Sequence, residues 1–596
     1  MKKQVNLLKH WWNKDCRTHQ KTVRQIRSYL HEIEDKPIPD WELPKYTWRD
    51  LISAKRAYKK VIKQAKKASW RKFLEYALNM DQLGKVIRSM KPKCEAEIAL
   101  GKNRDGTSMT PEQTINNLCN EHFPKCKNEE ERLPYEELRE VYASTHNCEI
   151  DDADGRFLSK ERLVTAIKSF VSLKAPGTDG FPPYVYKNFG ESALTRLQNI
   201  YKASFLLELQ PQIWRDVKVI FIPKVGKSDY SDPRSFRPIS LMQFMFKIFE
   251  KLMLWELEEQ TGLQLHENQH GFRKGRSTDS TLTSLTGCIE KGLQAQHYTV
   301  AIFMDIKGAF DNIQNDCIAK AMADKGSKSK FIKWFQDFLH NRNINVEYKG
   351  ITIKRWPVMG APQGGVASPW MWNIIADELH EKISTIPGVR SEGFADDTVL
   401  FATDKNLGKA IKNLQVGVCQ LEKWAKDQSL EFCMKKTKVI IFSRRNKLMV
   451  RKKVPPKLKM MGKELPYSNQ HKNLGITFDR KLKYKAHLKD RMSKAKGILI
   501  QLSNSMGKLY GLKPTAALWV YKAVARAMLT HGCLIWHQLC DSETVRDQLR
   551  SFQRRGLLNL GFFRKSTPTA GLELITYTKP LPLFIKQQAA LSYLRT

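Results

Sequence analysis

Carboxylates set beside apolar strands constrain this chain more than any other feature. Thr299–Met304 (TVAIFM) reads as a buried strand, and it ends in Asp305. Further on, GFADDTVLF (393–401) places Asp396 and Asp397 between two apolar segments, the pattern of a hairpin with a tight turn. A carboxylate there is costly unless something compensates it, and a divalent cation is the commonest functional compensator. Successive strand side chains face opposite ways, so two adjacent Asp converge on one site only where the chain twists at a turn. Asp-Asp in a hairpin turn is ordinary turn chemistry when taken alone. Joined with Asp305, it gives three carboxylates on adjacent strands, a hard oxygen site suited to Mg²⁺. Two such ions about 4 Å apart can activate a 3′-hydroxyl, clamp an α-phosphate and stabilise a leaving pyrophosphate.

Charge points the same way. Lys plus Arg number 101 against 61 Asp plus Glu, a net +40 over 596 residues. That excess argues against a general metabolic enzyme and for a polyanionic partner, either nucleic acid or an anionic membrane. The membrane reading weakens because the longest uncharged run, Trp356 to Ala376, is broken by Pro and Gly. The N-terminus, MKKQVNLLKHWWNKD, lacks the apolar stretch of a secretory signal. Eleven irregularly spaced Cys suit a reducing compartment. With 41% hydrophobic residues most of the chain should fold, into roughly four units at about 150 residues each.

Residues 53–72 carry nine cations and no acid, in strong helix formers with Ala54, Tyr58, Ile62 and Ala65 near helical spacing. A solvated helix face is the plain reading. Without acids to pair, however, nine like charges repel unless phosphates neutralise them. Residues 129–154 reverse the sign and read as a linker. There Asp152, Asp154, Gly155 and Glu161 mimic a calcium loop whose first position, Ile150, offers no side-chain oxygen. From 159 to 480, helical stretches alternate with short apolar strands such as Val217–Ile222, Thr299–Ile306, Thr398–Ala402 and Val439–Phe442, an α+β signature. Beyond 481 the pattern is mostly helical, and 432–463 add twelve cations without an acid.

The order of segments resembles the reverse transcriptases of non-LTR (LINE-type) retrotransposons, most like the jockey-related group. The resemblance runs through LKAPGTDGFPPYVYK (173–187), VIFIPKVGKSDYSDPRSFRPISL (219–241), QHGFRKGRSTDSTL (269–282) and FMDIKGAFDNI (303–313). It continues through GAPQGGVASPWMWN (360–373), GFADDTVLF and HKNLGITFDRKLKYKAHL (471–488). It implies a right-hand polymerase fold with fingers and palm over 159–480 and a helical thumb and C-terminal connection over 481–596. A basic helical N-terminal extension (1–128) and an acidic linker (129–158) would precede them.

The resemblance also implies residue roles. Asp305 matches the metal-binding carboxylate of motif A, with the carbonyl of Ile306 near an ion, and Asp396 and Asp397 match the pair of motif C. Phe310 matches the bulky gate that crowds a ribose 2′-hydroxyl and favours dNTPs. Gln363 and Gly364 match motif B, where Gly lets the backbone approach template and nucleotide. Lys224 and Arg237 match fingers residues that reach the incoming triphosphate, and Lys436 matches the motif D lysine, a candidate general acid for pyrophosphate. Relatives usually show Asn three residues before that lysine; Cys433 stands here. Leu474 and Gly475 resemble the primer-grip turn, and Ala367 sits where relatives commonly have Leu.

The implied activity is RNA-directed DNA synthesis with two Mg²⁺ ions, for which Mn²⁺ can substitute. The implied partners are an RNA template, a DNA primer and dNTPs, with no membrane and with a separate endonuclease-bearing element protein. The life cycle of such elements and the basic runs favour the nucleus over the cytoplasm. The alternative is a catalytically silent RNA-binding remnant of such an element. A group II intron-type enzyme and an RNA-dependent RNA polymerase rank lower. Two decoys fall away. VGKS (225–228) lacks the first Gly of a P-loop, since Phe221 stands there. His531, Cys533, His537 and Cys540 do not share one helix face, and Cys119, His122 and Cys126 lack a clear fourth ligand.

Overall fold

The computed structural model describes residues 12–35, 44–76, 107–124, 126–127, 156–224, 226–227, 229–261, 265–445, 456–504, 512–560 and 563–596. They form a mixed α+β structure with two compact units. The calcium-loop mimic and the acidic segment 129–154 lie outside the described residues, apart from Glu161. No helix among the described residues is long and apolar enough to cross a membrane.

One unit draws on residues 1–93, 488–531 and 540–587. The helices Lys14–Asp35 and Trp48–Tyr76 pair through Ile26, Leu30 and Leu51. On the second helix the expected stripe is present: Ala65 is buried, Ala54, Tyr58 and Ile62 are half-buried, and Lys55, Lys59, Lys63 and Lys67 are exposed. The basic run through Lys67 is therefore a helix whose cations face outward. Among the C-terminal helices, Gln553 on Glu543–Leu558 ties three segments together. It meets the Tyr521 hydroxyl at 3.0 Å and donates to Glu573 Oε1 at 2.6 Å and to the Lys579 carbonyl at 3.0 Å.

The other unit, residues 94–487, 532–539 and 588–596, holds two larger sheets among the described residues. Its strands are β1 (Cys126–Lys127), β2 (Asp216–Pro223), β3 (Phe236–Leu241), β4 (Tyr298–Asp305), β5 (Asn343–Tyr348), β6 (Ile351–Pro357), β7 (Val389–Phe394), β8 (Asp397–Asp404) and β9 (Lys438–Phe442). The sequence-expected strands are all present, within a few residues at each end. Five strands run in the order β1-β6-β5-β2-β3, with β2 parallel to β5 and the other neighbours antiparallel. Short β1 belongs to this sheet, and the helix Pro111–His122 before it packs beside β5 and β6. Residues 111–127, grouped by sequence with the basic extension, thus take part in this unit.

The second sheet is antiparallel in the order β7-β8-β4-β9. Its central strand β4 is buried on both faces, as an unbroken apolar run requires. Val300, Ile302 and Met304 join the main core with Leu414, Val418 and Leu421 of the helix Leu407–Asp427. On the opposite face, Phe303 packs against His471 and Phe478 at ring-centroid distances of 4.9 and 5.7 Å. Those two residues belong to a further hairpin, Gln470–Asn473 with Ile476–Asp479.

The β7–β8 turn is braced from outside the sheet. Phe394 pairs with Asp397, leaving Ala395 and Asp396 as the two turn residues. Ala395 has φ 56°, a left-handed conformation unusual for a residue with a Cβ. Its carbonyl accepts a 2.7 Å hydrogen bond from Trp372 Nε1. Segment 268–271 runs alongside. His270 N–H donates to the Gly393 carbonyl, Gln269 bonds Asn373, and Gly271 lies so close that a Cβ there would overlap the Ala395 amide nitrogen. Gly271→Ala should therefore cost about 1–3 kcal/mol by overpacking. A melting curve of the full chain checks this, and an unchanged midpoint would show that the turn yields freely.

Candidate active site

Strand register decides which side chains meet. Asp305 and Asp397 are direct cross-strand partners on β4 and β8, a position that brings Cβ atoms within about 4.5–5.5 Å. Asp396 precedes Asp397 in the turn, so the three sequence-predicted carboxylates meet at one end of the sheet. Burial comes first among the forces that raise the pKa of Asp396, and the charge of Asp305 adds to it, against Lys436 and Arg237. Asp397 is pushed from 3.8 to about 6 by burial and then by Asp396 and Asp305.

Lys436 answers part of that charge. Its Nζ donates to Asp305 Oδ2 at 2.6 Å. Burial works against its ammonium, yet the bond and attraction of Asp305 hold the pKa above the ordinary lysine value. The loop that carries it is pinned by backbone bonds and by the Thr437 hydroxyl, which donates to the Cys433 carbonyl at 3.2 Å. Cys433 N–H donates to the Asp305 carbonyl at 2.8 Å, and the Cys433 carbonyl accepts from Lys436 and Thr437 at 3.0 and 3.1 Å. Cys for Asn at this position therefore leaves in place the contacts that aim Lys436. Lys307 N–H donates to the Glu431 carbonyl at 2.8 Å, closing a bridge that pairs Ile306 with Phe432. The two bonds of that bridge flank Ile306, so the Ile306 carbonyl is not one of their acceptors.

Lys224, at the end of β2, and Arg237, on β3, come to the same place. Burial, then repulsion from Arg237, Lys227 and Lys436, lowers the Lys224 pKa. Lys224 Nζ donates to the Arg234 carbonyl at 2.9 Å. Gln363 and Gly364 dock on β3: the Gln363 carbonyl accepts from Ser240 N–H at 2.7 Å, and a Cβ on Gly364 (φ 118°) would stand 2.6 Å from the Ser240 carbonyl oxygen. Glycine is required there by both conformation and space. Phe310 is half-buried between Phe272 and Trp372, with both ring centroids at 6.0 Å, and its carbonyl accepts from Ala361 N–H at 2.7 Å. Leu474 (φ 46°) and Gly475 (φ 82°) form the two-residue turn of the further hairpin. A cleft of about 420 Å³ joins Leu474 to Asp305, Asp397 and Lys436.

Some supporting residues were not singled out from sequence. Glu250, in the helix Phe244–Thr261, is buried and accepts from Val366 and Ala367 N–H at 2.8 and 2.9 Å. It thereby caps the helix Ser368–Ser384 that follows the Gln363 loop. A Glu inside the apolar run FMFKIFEKLML was the available signal. Trp372 and Gly271 gave none beyond residue type. His122 bonds the Pro233 carbonyl at 3.1 Å and lies 3.7 Å from Asp311, while Cys533 and Cys540 are buried thiols.

Among the described residues no three His, Cys, Asp or Glu side chains form a ready-made metal cage, and Asp305 Oδ2 is turned to Lys436. The donor set nevertheless fits a hard divalent cation. Its carboxylates are oxygen ligands, and two of them are held above their usual range by burial and by the charge of their carboxylate neighbours.

Residues 222–478 match the family model described as reverse transcriptase (RNA-dependent DNA polymerase). The chain is 23% identical over 582 residues to a 115 kDa protein of the type-1 retrotransposable element R1DM of Drosophila melanogaster, covering 97% of this chain and 53% of that protein. It is 23% identical over 542 residues to a Pol polyprotein from the type-1 retrotransposable element R1 of Bradysia coprophila (88% and 50% covered). With the RNA-directed DNA polymerase from mobile element jockey of D. melanogaster it shares 24% over 383 residues (63% and 41% covered). The chain thus spans about half the length of the curated relatives it matches. It carries a reverse transcriptase domain. Its homology is to the reverse transcriptases of non-LTR retrotransposons, and it is distant.

A carboxyl whose folded pKa is raised binds its proton more tightly folded than unfolded. The cost to stability is absent below about pH 4 and full above about pH 6. In chelator at pH 7.5, Asp397→Asn should melt above the wild type, by on the order of 1–3 kcal/mol, and the gap should close near pH 4. An equal or lower midpoint at pH 7.5 would contradict the crowding of charge described here.

Proposed function

We propose that the chain is an RNA-directed DNA polymerase that extends a primer 3′-hydroxyl with dNTPs on an RNA template. The observation that carries this reading is the meeting of Asp305, Asp396 and Asp397 at one sheet end, with Lys436, Arg237 and Lys224 around them. The reading assigns a right-hand polymerase fold, with fingers and palm over 159–480 and thumb and connection over 481–596. The basic extension (1–128), whose residues 111–127 pack into the sheet unit, and the acidic linker (129–158) precede them. The outward cations of Trp48–Tyr76 suit phosphate contacts that hold template and primer without reading sequence.

In this proposal Asp305, Asp396, Asp397 and the Ile306 carbonyl hold two Mg²⁺ ions. Bound there, the metal supplies activation of the 3′-hydroxyl and charge neutralisation at the α-phosphate and leaving pyrophosphate. The protein's own groups do the rest. Lys224 and Arg237 bind the triphosphate, and the lowered Lys224 pKa reflects cationic surroundings that an anionic nucleotide would relieve. Phe310 closes the sugar pocket against a 2′-hydroxyl, its ring held by Phe272 and Trp372. Gln363 and Gly364 bring backbone close to template and nucleotide. Lys436, kept protonated beside Asp305, is placed to give its proton to the departing pyrophosphate. The turn Leu474–Gly475 positions the primer end across the cleft.

Primer extension on a primed RNA template, with dNTPs and Mg²⁺, tests the reading. Wild type should synthesise DNA, and Asp396→Asn should lose about 100-fold or more. Phe310→Ala should retain DNA synthesis and gain incorporation of NTPs. A folded, RNA-binding wild type without synthesis would overturn the polymerase and point to a silent remnant.

A further inference from the structure

The opposite end of the catalytic sheet carries a second charged cleft. β4 enters at Tyr298 and reaches the carboxylates at Asp305, seven steps or about 23 Å away. Beside its entry, a cleft of about 330 Å³ is lined by Lys291, His297 and Arg390, together with Cys288, Thr403 and the glycines 292 and 388. No carboxylate is among its lining residues. None of the three cationic or basic side chains makes an ion pair among the described residues; Arg390 Nη1 reaches only the Cys288 sulfur, at 3.3 Å. Asp404 is the acid near enough to His297 to have its own pKa affected by it, and Asp404 is drawn off to Lys409 at 3.4 Å.

The cleft is floored by Gly292, Thr403 and the ring of Phe401. Gly292 packs so closely on β4 and β8 that a Cβ would stand 2.6 Å from Thr299 Oγ1, and the Thr403 hydroxyl meets Thr299 Oγ1 at 2.9 Å. Two fixed cations, a histidine and a hydroxyl around an acid-free cleft match a phosphate group, which takes charge-assisted hydrogen bonds from several directions. The same chemistry fails for a metal cation, which these charges would repel, and for a carboxyl-free apolar ligand, which would leave them unpaired.

We propose that this cleft is a phosphate-binding site separate from the catalytic carboxylates, occupied by the backbone phosphate of a nucleic-acid strand. Lys291 and Arg390 grip the phosphate, and His297 and Thr403 orient it. The site does not depend on polymerase activity, so its test does not use that activity.

Cys288 lies in the cleft and reports occupancy. The full chain is treated with N-ethylmaleimide and the labelling rates of Cys288 and of exposed Cys419 are followed by mass spectrometry, with a 12-mer RNA or inorganic phosphate as probe. RNA at about ten times its Kd should slow Cys288 labelling about tenfold and leave Cys419 unchanged. The double variant Lys291→Ala/Arg390→Ala, both exposed positions, should abolish that protection while still binding RNA elsewhere. Protection by inorganic phosphate but not by RNA would overturn the nucleic-acid source and leave a site for free phosphate. Equal labelling with and without both probes, or protection that survives in the double variant, would overturn the site.

Discussion

The antiparallel pairing of β4 with β8 sets two carboxylates opposite each other at the edge of an apolar sheet, and much of the structure serves to hold them there. Like charges so placed repel, and burial makes the repulsion worse because little water remains to screen it. The chain meets part of this cost with the Lys436 ammonium and the Arg237 guanidinium, and leaves two acids with raised pKa values. Such a site is stable only within a rigid frame. That frame is β4 itself, buried on both faces, with the core on one side and Phe303, His471 and Phe478 on the other.

Around this point the supports arrive from distant parts of the sequence. Segment 268–271 and Trp372 hold the left-handed Ala395, so the turn that carries Asp396 is fixed by groups from outside the hairpin. Glu250 fixes the start of the helix that carries Trp372, linking the Gln363 loop to the same turn. Phe310 touches Trp372 as well, so the proposed sugar gate and the proposed metal turn share one indole. Disturbing any of these contacts should move several proposed roles together.

Most of what defines the site was legible because it broke a local rule. An Asp at the end of TVAIFM and a pair inside GFADDTVLF are out of place in buried strands unless they act together, and the register confirms that they meet. The helix over 53–72 was legible from its composition, and its half-buried stripe follows the expected spacing. What was not legible depends on pairing between distant segments. Cys126–Lys127 becomes a strand only because β6 lies beside it, some 230 residues later in the chain. Gly271 looked like any loop glycine, and its necessity appears only once Ala395 is seen against it. At Cys433 the departure from Asn falls on a residue whose contacts in the Lys436 loop run through its backbone N–H and carbonyl.

If the three carboxylates at the end of β4 and β8 form one cation site, manganese binding followed by electron paramagnetic resonance reports it, on the full chain with a dideoxy-terminated primer on RNA and the matching dNTP. Protein-bound Mn²⁺ is expected in the wild type, with most of that signal lost in Asp305→Asn. Equal binding by the two proteins would rule out a shared cation site.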